Sequence, residues 1–162
     1  MKFPEAFQLT TMFVEDKGLT LEGNGGYSDK NTLDGAAFMS EQKNASGEVW
    51  KAIPLENGYF KLTTMFVEDK GLTLEGNGGY GKNNTLDGAA FMSGQKNASG
   101  EIWKAIPLDN GYFQLTTKFV EDKGLVLEGN GGLSSDNTLG GAAFMSPQKD
   151  ASGTMWKAIP VK

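Results

Sequence analysis

Glu48-Val49-Trp50-Lys51-Ala52-Ile53-Pro54-Leu55-Glu56-Asn57-Gly58-Tyr59-Phe60 returns 53 residues later as Glu101-Ile102-Trp103-Lys104-Ala105-Ile106-Pro107-Leu108-Asp109-Asn110-Gly111-Tyr112-Phe113. A third copy begins at Thr154-Met155-Trp156 and runs to Val161. The step is constant, since 103 − 50 = 156 − 103 = 53. The same step carries Leu9 to Leu62 and Leu115, and Asn24 to Asn77 and Asn130. Residues 7–59 and 60–112 differ at 7 of 53 positions, and residues 113–162 differ from 60–109 at 14 of 50, with no gap. One unit written three times organises the chain. Copies this close fit either recent duplication or deliberate construction.

Within a unit the periodicity is that of β-structure. Phe60-Lys61-Leu62-Thr63-Thr64-Met65-Phe66 alternates and is rich in Thr and aromatics, as a half-buried strand requires. Leu72-Thr73-Leu74, Ala89-Ala90-Phe91-Met92 and Ile102–Leu108 supply three more runs, the last stopped or confined to an edge by Pro107. Clusters such as Glu75-Gly76-Asn77-Gly78-Gly79 read as turns. No stretch of 11 residues carries a helical stripe. Four strands per unit, twelve in all, are expected.

Asn57-Gly58 and Asn110-Gly111 join the last strand of one unit to the first of the next. Asn-Gly between alternating runs is a hairpin signal, because a type I′ turn needs positive φ at both central residues. In repeat register Phe3 falls on Glu56 and Lys162 on Asp109, so the two chain ends meet where a third hairpin would lie. The array therefore closes into a ring and is not an open solenoid. Three units are too few for a propeller of about 4–8 blades. The expected fold is all-β, a single β-trefoil domain over 1–162, with repeats 7–59, 60–112 and 113–162 and residues 1–6 closing the ring. A threefold β-prism is the alternative.

Composition narrows the chemistry. The 162 residues include 15 Lys, no Arg, 20 Asp plus Glu, no His and no Cys, for a net charge of −5. Length and apolar content suit one globular domain. Without Cys there is no disulfide, thiolate ligand or cysteine nucleophile, and without His no imidazole base or histidine metal ligand. An acidic chain without Arg is a poor match for nucleic acid. No apolar run approaches the roughly 20 residues of a membrane span. Met1-Lys2-Phe3-Pro4-Glu5 has no apolar leader core. A soluble, monomeric, cytoplasmic protein without cofactor, metal or catalytic activity is expected.

The units also resemble those of ricin-type (R-type) β-trefoil lectins. The resemblance rests on Gly18-Leu19-Thr20-Leu21-Glu22, on Phe38, and on Gly47-Glu48-Val49-Trp50-Lys51 followed by Ile53-Pro54-Leu55 and Asn57-Gly58-Tyr59-Phe60, and it extends over all three units. That family's repeats resemble a "G-K-x-L-D" run, an aromatic and a "Q-x-W" signature. The resemblance implies a shallow sugar pocket in each repeat. A carboxylate and amides there bond the sugar hydroxyls, and an aromatic ring faces its apolar side. By position the family's Asp becomes Glu22, Glu75 and Glu128, and its aromatic becomes Phe38, Phe91 and Phe144. Its Gln becomes Glu48 and Glu101, with Thr154 in the third unit, and its Asn falls near Gly47, with Asn44 and Asn97 three residues earlier and Asp150 in the third unit. Glu for Asp moves the carboxylate outward, and Glu for Gln replaces an amide donor with a second charge.

Other residues divide between site and scaffold. Asn24, Asn77 and Asn130 follow the carboxylates and suit a turn as well as a ligand contact. Tyr27 and Tyr80 are candidate stacking platforms, replaced by Leu133 in the third unit. Trp50, Trp103 and Trp156 read as core anchors. Glu15-Asp16 and its two copies read as solvated turn acids, since a glycosidase needs carboxyls held across a cleft at roughly 5–9.5 Å. Asp29, Asn31 and Asp34 lack calcium-loop spacing, and Lys82 replaces Asp29 in the second unit and Gly140 replaces Asp34 in the third. Two readings follow. One is a multivalent carbohydrate-binding module with glycan partners, its third site weakest. The other is a symmetric scaffold, natural or designed, without a sugar site.

Overall fold

A computed structural model describes residues 2–24, 36–41, 44–77, 89–94, 97–130, 142–147 and 149–161. Among the described residues are twelve strands, some of them joined by three-residue 3-10 turns. The first unit holds β1 (Phe7–Thr11), β2 (Thr20–Glu22), β3 (Phe38–Ser40) and β4 (Trp50–Pro54). The second holds β5 (Phe60–Thr64), β6 (Thr73–Glu75), β7 (Phe91–Ser93) and β8 (Trp103–Pro107). The third holds β9 (Phe113–Thr117), β10 (Val126–Glu128), β11 (Phe144–Ser146) and β12 (Trp156–Pro160). The outer strands of the units form a closed six-stranded barrel in the order β1-β12-β9-β8-β5-β4. The inner strands pair as three hairpins, β2-β3, β6-β7 and β10-β11. This is a β-trefoil.

Ring closure is direct. β12 and β1 pair antiparallel over five residues, Phe7 opposite Pro160 through Thr11 opposite Trp156. That ladder has the same length as the chain-connected β4-β5 and β8-β9 ladders. The prolines end β4, β8 and β12 in the same way.

Identical small residues meet on the threefold axis. Ala37 N–H donates to the Ala90 carbonyl, Ala90 to Ala143, and Ala143 back to Ala37, each at 2.8 Å. Ala36, Ala89 and Ala142 form a separate buried cluster beside this ring. Alanine is the size that lets three backbones converge. The indoles of Trp50, Trp103 and Trp156 are fully buried, and each Nε1–H donates to the carbonyl of Leu21, Leu74 or Leu127 at 2.8 Å. A buried indole therefore carries its one polar group satisfied.

Neighbouring units interlock at Gly23, Gly76 and Gly129. A Cβ at Gly23 would lie 2.7 Å from Met92 Sδ and 3.1 Å from the Trp50 ring. The Thr64 hydroxyl of the next unit donates to the Gly23 carbonyl at 2.9 Å.

Phe3 breaks the symmetry. It lies outside the repeat, yet its ring meets Phe7 at 4.9 Å, Phe60 at 5.0 Å and Phe113 at 5.6 Å, one from each unit. It plugs the end of the barrel where the hairpins turn.

Those hairpins are not identical. Asn57 (φ 62°) and Gly58 (φ 83°) both have positive φ, and Tyr59 N–H donates to the Glu56 carbonyl, which is the type I′ geometry the sequence predicts. In the second hairpin Gly111 (φ 91°) alone does, while Asn110 Oδ1 accepts from Tyr112 N–H at 3.1 Å. The same Asn-Gly pair thus closes two turn types. In the second, the asparagine side chain satisfies a backbone donor.

Candidate functional site

β2 and β3 place the leading candidates side by side. Glu22 at the end of β2 pairs directly with Phe38 at the start of β3, and the second and third units repeat this as Glu75 with Phe91 and Glu128 with Phe144. Residues opposite one another in a two-stranded ribbon share a face. Phe38, Phe91 and Phe144 are half-buried. The carboxylates are deeper: Glu22 is 3% exposed, Glu75 2% and Glu128 3%.

Asn24, Asn77 and Asn130 join them. In each unit the asparagine Nδ2 donates to Oε2 of the glutamate two residues earlier at 2.7 Å. The asparagine Oδ1 rests on the turn before the tryptophan. A Cβ on Gly47, Gly100 or Gly153 would fall within 1.9 Å of it. Glycine is required there by space, since the backbone and the amide occupy one side-chain volume. Gly23 N–H also donates to the Gly47 carbonyl at 2.9 Å, fastening the end of β2 to that turn. Among the described residues the second carboxylate oxygen, Oε1 of Glu22, Glu75 and Glu128, has no hydrogen-bond partner.

Glu48 and Glu101 lie at the end of that turn (Ser46–Glu48 and Ser99–Glu101) and are fully buried. The Thr20 hydroxyl donates to Glu48 Oε2 at 2.9 Å. Burial holds the Glu48 carboxyl above the ordinary glutamate range, and the charge of Glu22 adds to this, while the hydroxyls of Thr20 and Ser40 pull the other way. Burial likewise raises Glu101, with the charge of Glu75. Thr73, Ser93 and the Lys61 ammonium oppose that rise. Thr154 stands at the same place in the third unit, where Gln114 Nε2 donates to its hydroxyl at 3.3 Å.

Asn44 and Asn97 are exposed ahead of the turn. Tyr27 and Tyr80 lie outside the described residues, as do Asp29, Asp34 and Leu133. Sequence reading passed over Thr20, Thr73 and Ser40 as parts of this site. The two threonines stand two residues before Glu22 and Glu75 on the same strand face, and that spacing was the available signal. Among the described residues no group of three or more acidic side chains could hold a metal ion.

The turn acids also have partners that sequence did not supply. Glu15 accepts from the Tyr112 hydroxyl at 2.5 Å and pairs with Lys157 at 3.1 Å. Its carboxyl is held below the usual range, first by the Tyr112 hydrogen bond.

No family model and no curated protein matches the sequence. Solved structures do match in shape. A designed threefold symmetric protein, ThreeFoil, gives a TM-score of 0.65 at 16% identity, covering 97% of this chain and 99% of its own. SeviL, solved bound to the asialo-GM1 saccharide, gives 0.65 at 14% identity, covering 98% and 99%. A mosquitocidal holotoxin gives 0.71 at 13% identity, covering all of this chain. The chain spans 18% of that toxin's length. At these identities the likeness establishes the β-trefoil fold. Among the described residues no helix is long and apolar enough to cross a membrane.

Proposed function

We propose that this β-trefoil is a non-catalytic carbohydrate-binding module of the ricin-type kind, a cytoplasmic monomer with up to three equivalent shallow sites. One observation carries the reading: every unit holds a carboxylate with one oxygen bonded by Asn24, Asn77 or Asn130 and the other without a donor among the described residues, directly across a strand pair from a half-buried phenylalanine. Sugar hydroxyls are donors in search of fixed acceptors, and a sugar's C–H face suits an aromatic ring. Three weak sites on one rigid body also gain by avidity on surfaces bearing many copies of a glycan. The structure of SeviL with a saccharide supports a sugar ligand for a trefoil of this size.

The depth of the carboxylates favours a second reading, in which the units are kept for folding alone and no sugar site is retained. A glycan array separates the two. Saturable binding to a related set of glycans, lost in the Glu22→Ala/Glu75→Ala/Glu128→Ala variant while the circular dichroism spectrum persists, supports the module. A blank array with folded protein supports the scaffold.

A further inference from the structure

Among the described residues two units bury two glutamates each and the third buries one. Glu22 with Glu48, and Glu75 with Glu101, bring one carboxylate from the end of a strand and one from the turn before the tryptophan, and all four are at most 3% exposed. Glu48 feels the charge of Glu22, and Glu101 that of Glu75. In the first unit Oε1 of Glu22 and Oε1 of Glu48 both lack a donor. In the second, Oε1 of Glu75 and both oxygens of Glu101 do. An ionised carboxylate only accepts hydrogen bonds, so two of them side by side make a surplus of acceptors. Two like charges in one buried space also cannot both be borne cheaply. One proton answers both problems, because it turns an orphaned acceptor into a donor for the other.

We propose that each of these pairs is a proton-binding site, in which one shared proton bridges the two carboxylates and fastens the turn Ser46–Glu48, or Ser99–Glu101, to the strand that carries Glu22 or Glu75. The Glu48 side faces Glu22 and the hydroxyls of Thr20 and Ser40. The Glu101 side faces Glu75, the Lys61 ammonium and the hydroxyls of Thr73 and Ser93. The third unit is a built-in control. Thr154 replaces the second acid, donates to the Ala151 carbonyl at 2.7 Å and needs no proton from solution. The latch needs no bound sugar, and in the first two units it engages the same Glu22 and Glu75 Oε1 that the sugar reading offers to a hydroxyl.

The linkage has a definite direction. An acid that binds its proton more tightly when folded contributes stability that is complete below its ordinary value of 4.5 and is lost as the pH rises through the higher folded value. Wild-type protein is to be compared with Glu48→Thr/Glu101→Thr and with Glu48→Gln/Glu101→Gln. We expect the wild-type Tm to rise by roughly 5 °C more than that of the Thr variant between about pH 8 and about pH 5. The Gln variant, whose amide supplies the donor permanently, is expected to lose the same dependence. Infrared spectroscopy of wild-type protein at about pH 6 should show a protonated carboxyl band that both variants lack, and it decides the matter on wild-type protein if a variant fails to fold. Parallel pH profiles in all three proteins, or absence of that band, would overturn the proposal. So would recovery of alkaline stability on adding calcium chloride, which would make the pairs a cation site.

Discussion

The Tyr112 hydroxyl donates to Glu15 at 2.5 Å across 97 residues of sequence, and Tyr59 makes the same contact to Glu121 at 3.1 Å. The third member of this set is absent by construction of the ring. Repeat register places Ala6 where the tyrosine would be, and Glu68 is left with Lys51 at 2.9 Å. Each tyrosine sits on a hairpin between two units and reaches an acid in the remaining or following one. These contacts are clasps around the barrel, and the chain ends fall at the missing clasp.

Restoring it is the first test. The cleft lined by Glu5, Lys51, Glu68 and Leu72 has a volume of about 520 Å³, against about 330 Å³ for its equivalent beside Glu121. Ala6→Tyr is expected to fill it and raise Tm by about 1–3 °C. Tyr112→Phe should lower Tm slightly near pH 7. The Glu15 part of that loss should vanish in acid, because a carboxyl held low contributes stability above its ordinary value and loses it as pH falls through the lower folded value. Differential scanning calorimetry at two pH values reads both effects.

Phe3 gives a larger effect. Its ring touches three symmetry-related phenylalanines, and removing it opens the barrel end to water. Phe3→Ala is expected to cost about 2–3 kcal/mol, below the range for a fully buried phenylalanine because Phe3 is half-buried. Urea unfolding should show a lower midpoint with an unchanged slope. A midpoint within error of wild type would remove Phe3 from the core.

Closure of the ring predicts tolerance of a new opening. A circular permutant cut between Asn57 and Gly58, with Val161 joined through residues 1–6 to Phe7, retains the β12-β1 ladder and the Phe3 plug. It should fold with a stability within about 1–2 kcal/mol of the parent, the loss coming from the Asn57-Gly58 turn. Failure to fold would mean that the β4-β5 connection does more than close a loop.

Gly47 tests the site without removing a carboxylate. Gly47→Ala drives a methyl into the space of Asn24 Oδ1, so the Asn24–Glu22 bond must break or the turn must move. The sugar-binding reading predicts loss of one of up to three sites by calorimetric titration, at a stability cost of about 1–3 kcal/mol. Full stoichiometry in the variant would take Asn24 out of the site.

The fold was legible to an unusual depth because the repeat repeats its own errors and signals alike. Three tryptophans at one step, an alternating run after each, and two chain ends in register with one hairpin leave few closed architectures. Strand edges were less legible. Met65 and Phe66 look like the continuation of β5, yet the strand ends at Thr64 and the chain turns there, leaving both side chains exposed. Apolar character alone does not stop a strand; its last backbone partner does. The candidate site was legible as a set of residue types. Glu22, Asn24 and Phe38 do come together in adjoining positions of one ribbon and turn.

Sequence by itself determined the repeat, the twelve strands, the ring and the buried tryptophans, because these follow from periodicity and from apolar surface leaving water. Tertiary structure alone decided which acids are buried beside which. Glu22 and Glu48 are 26 positions apart, and no local pattern says that Glu48 is fully buried beside Glu22 while Glu15 is only half-buried. It also decided that Phe3, outside every repeat, would serve all three. Charge burial and axial packing are properties of the closed barrel, where the energy of a side chain depends on neighbours that the chain reaches only by folding.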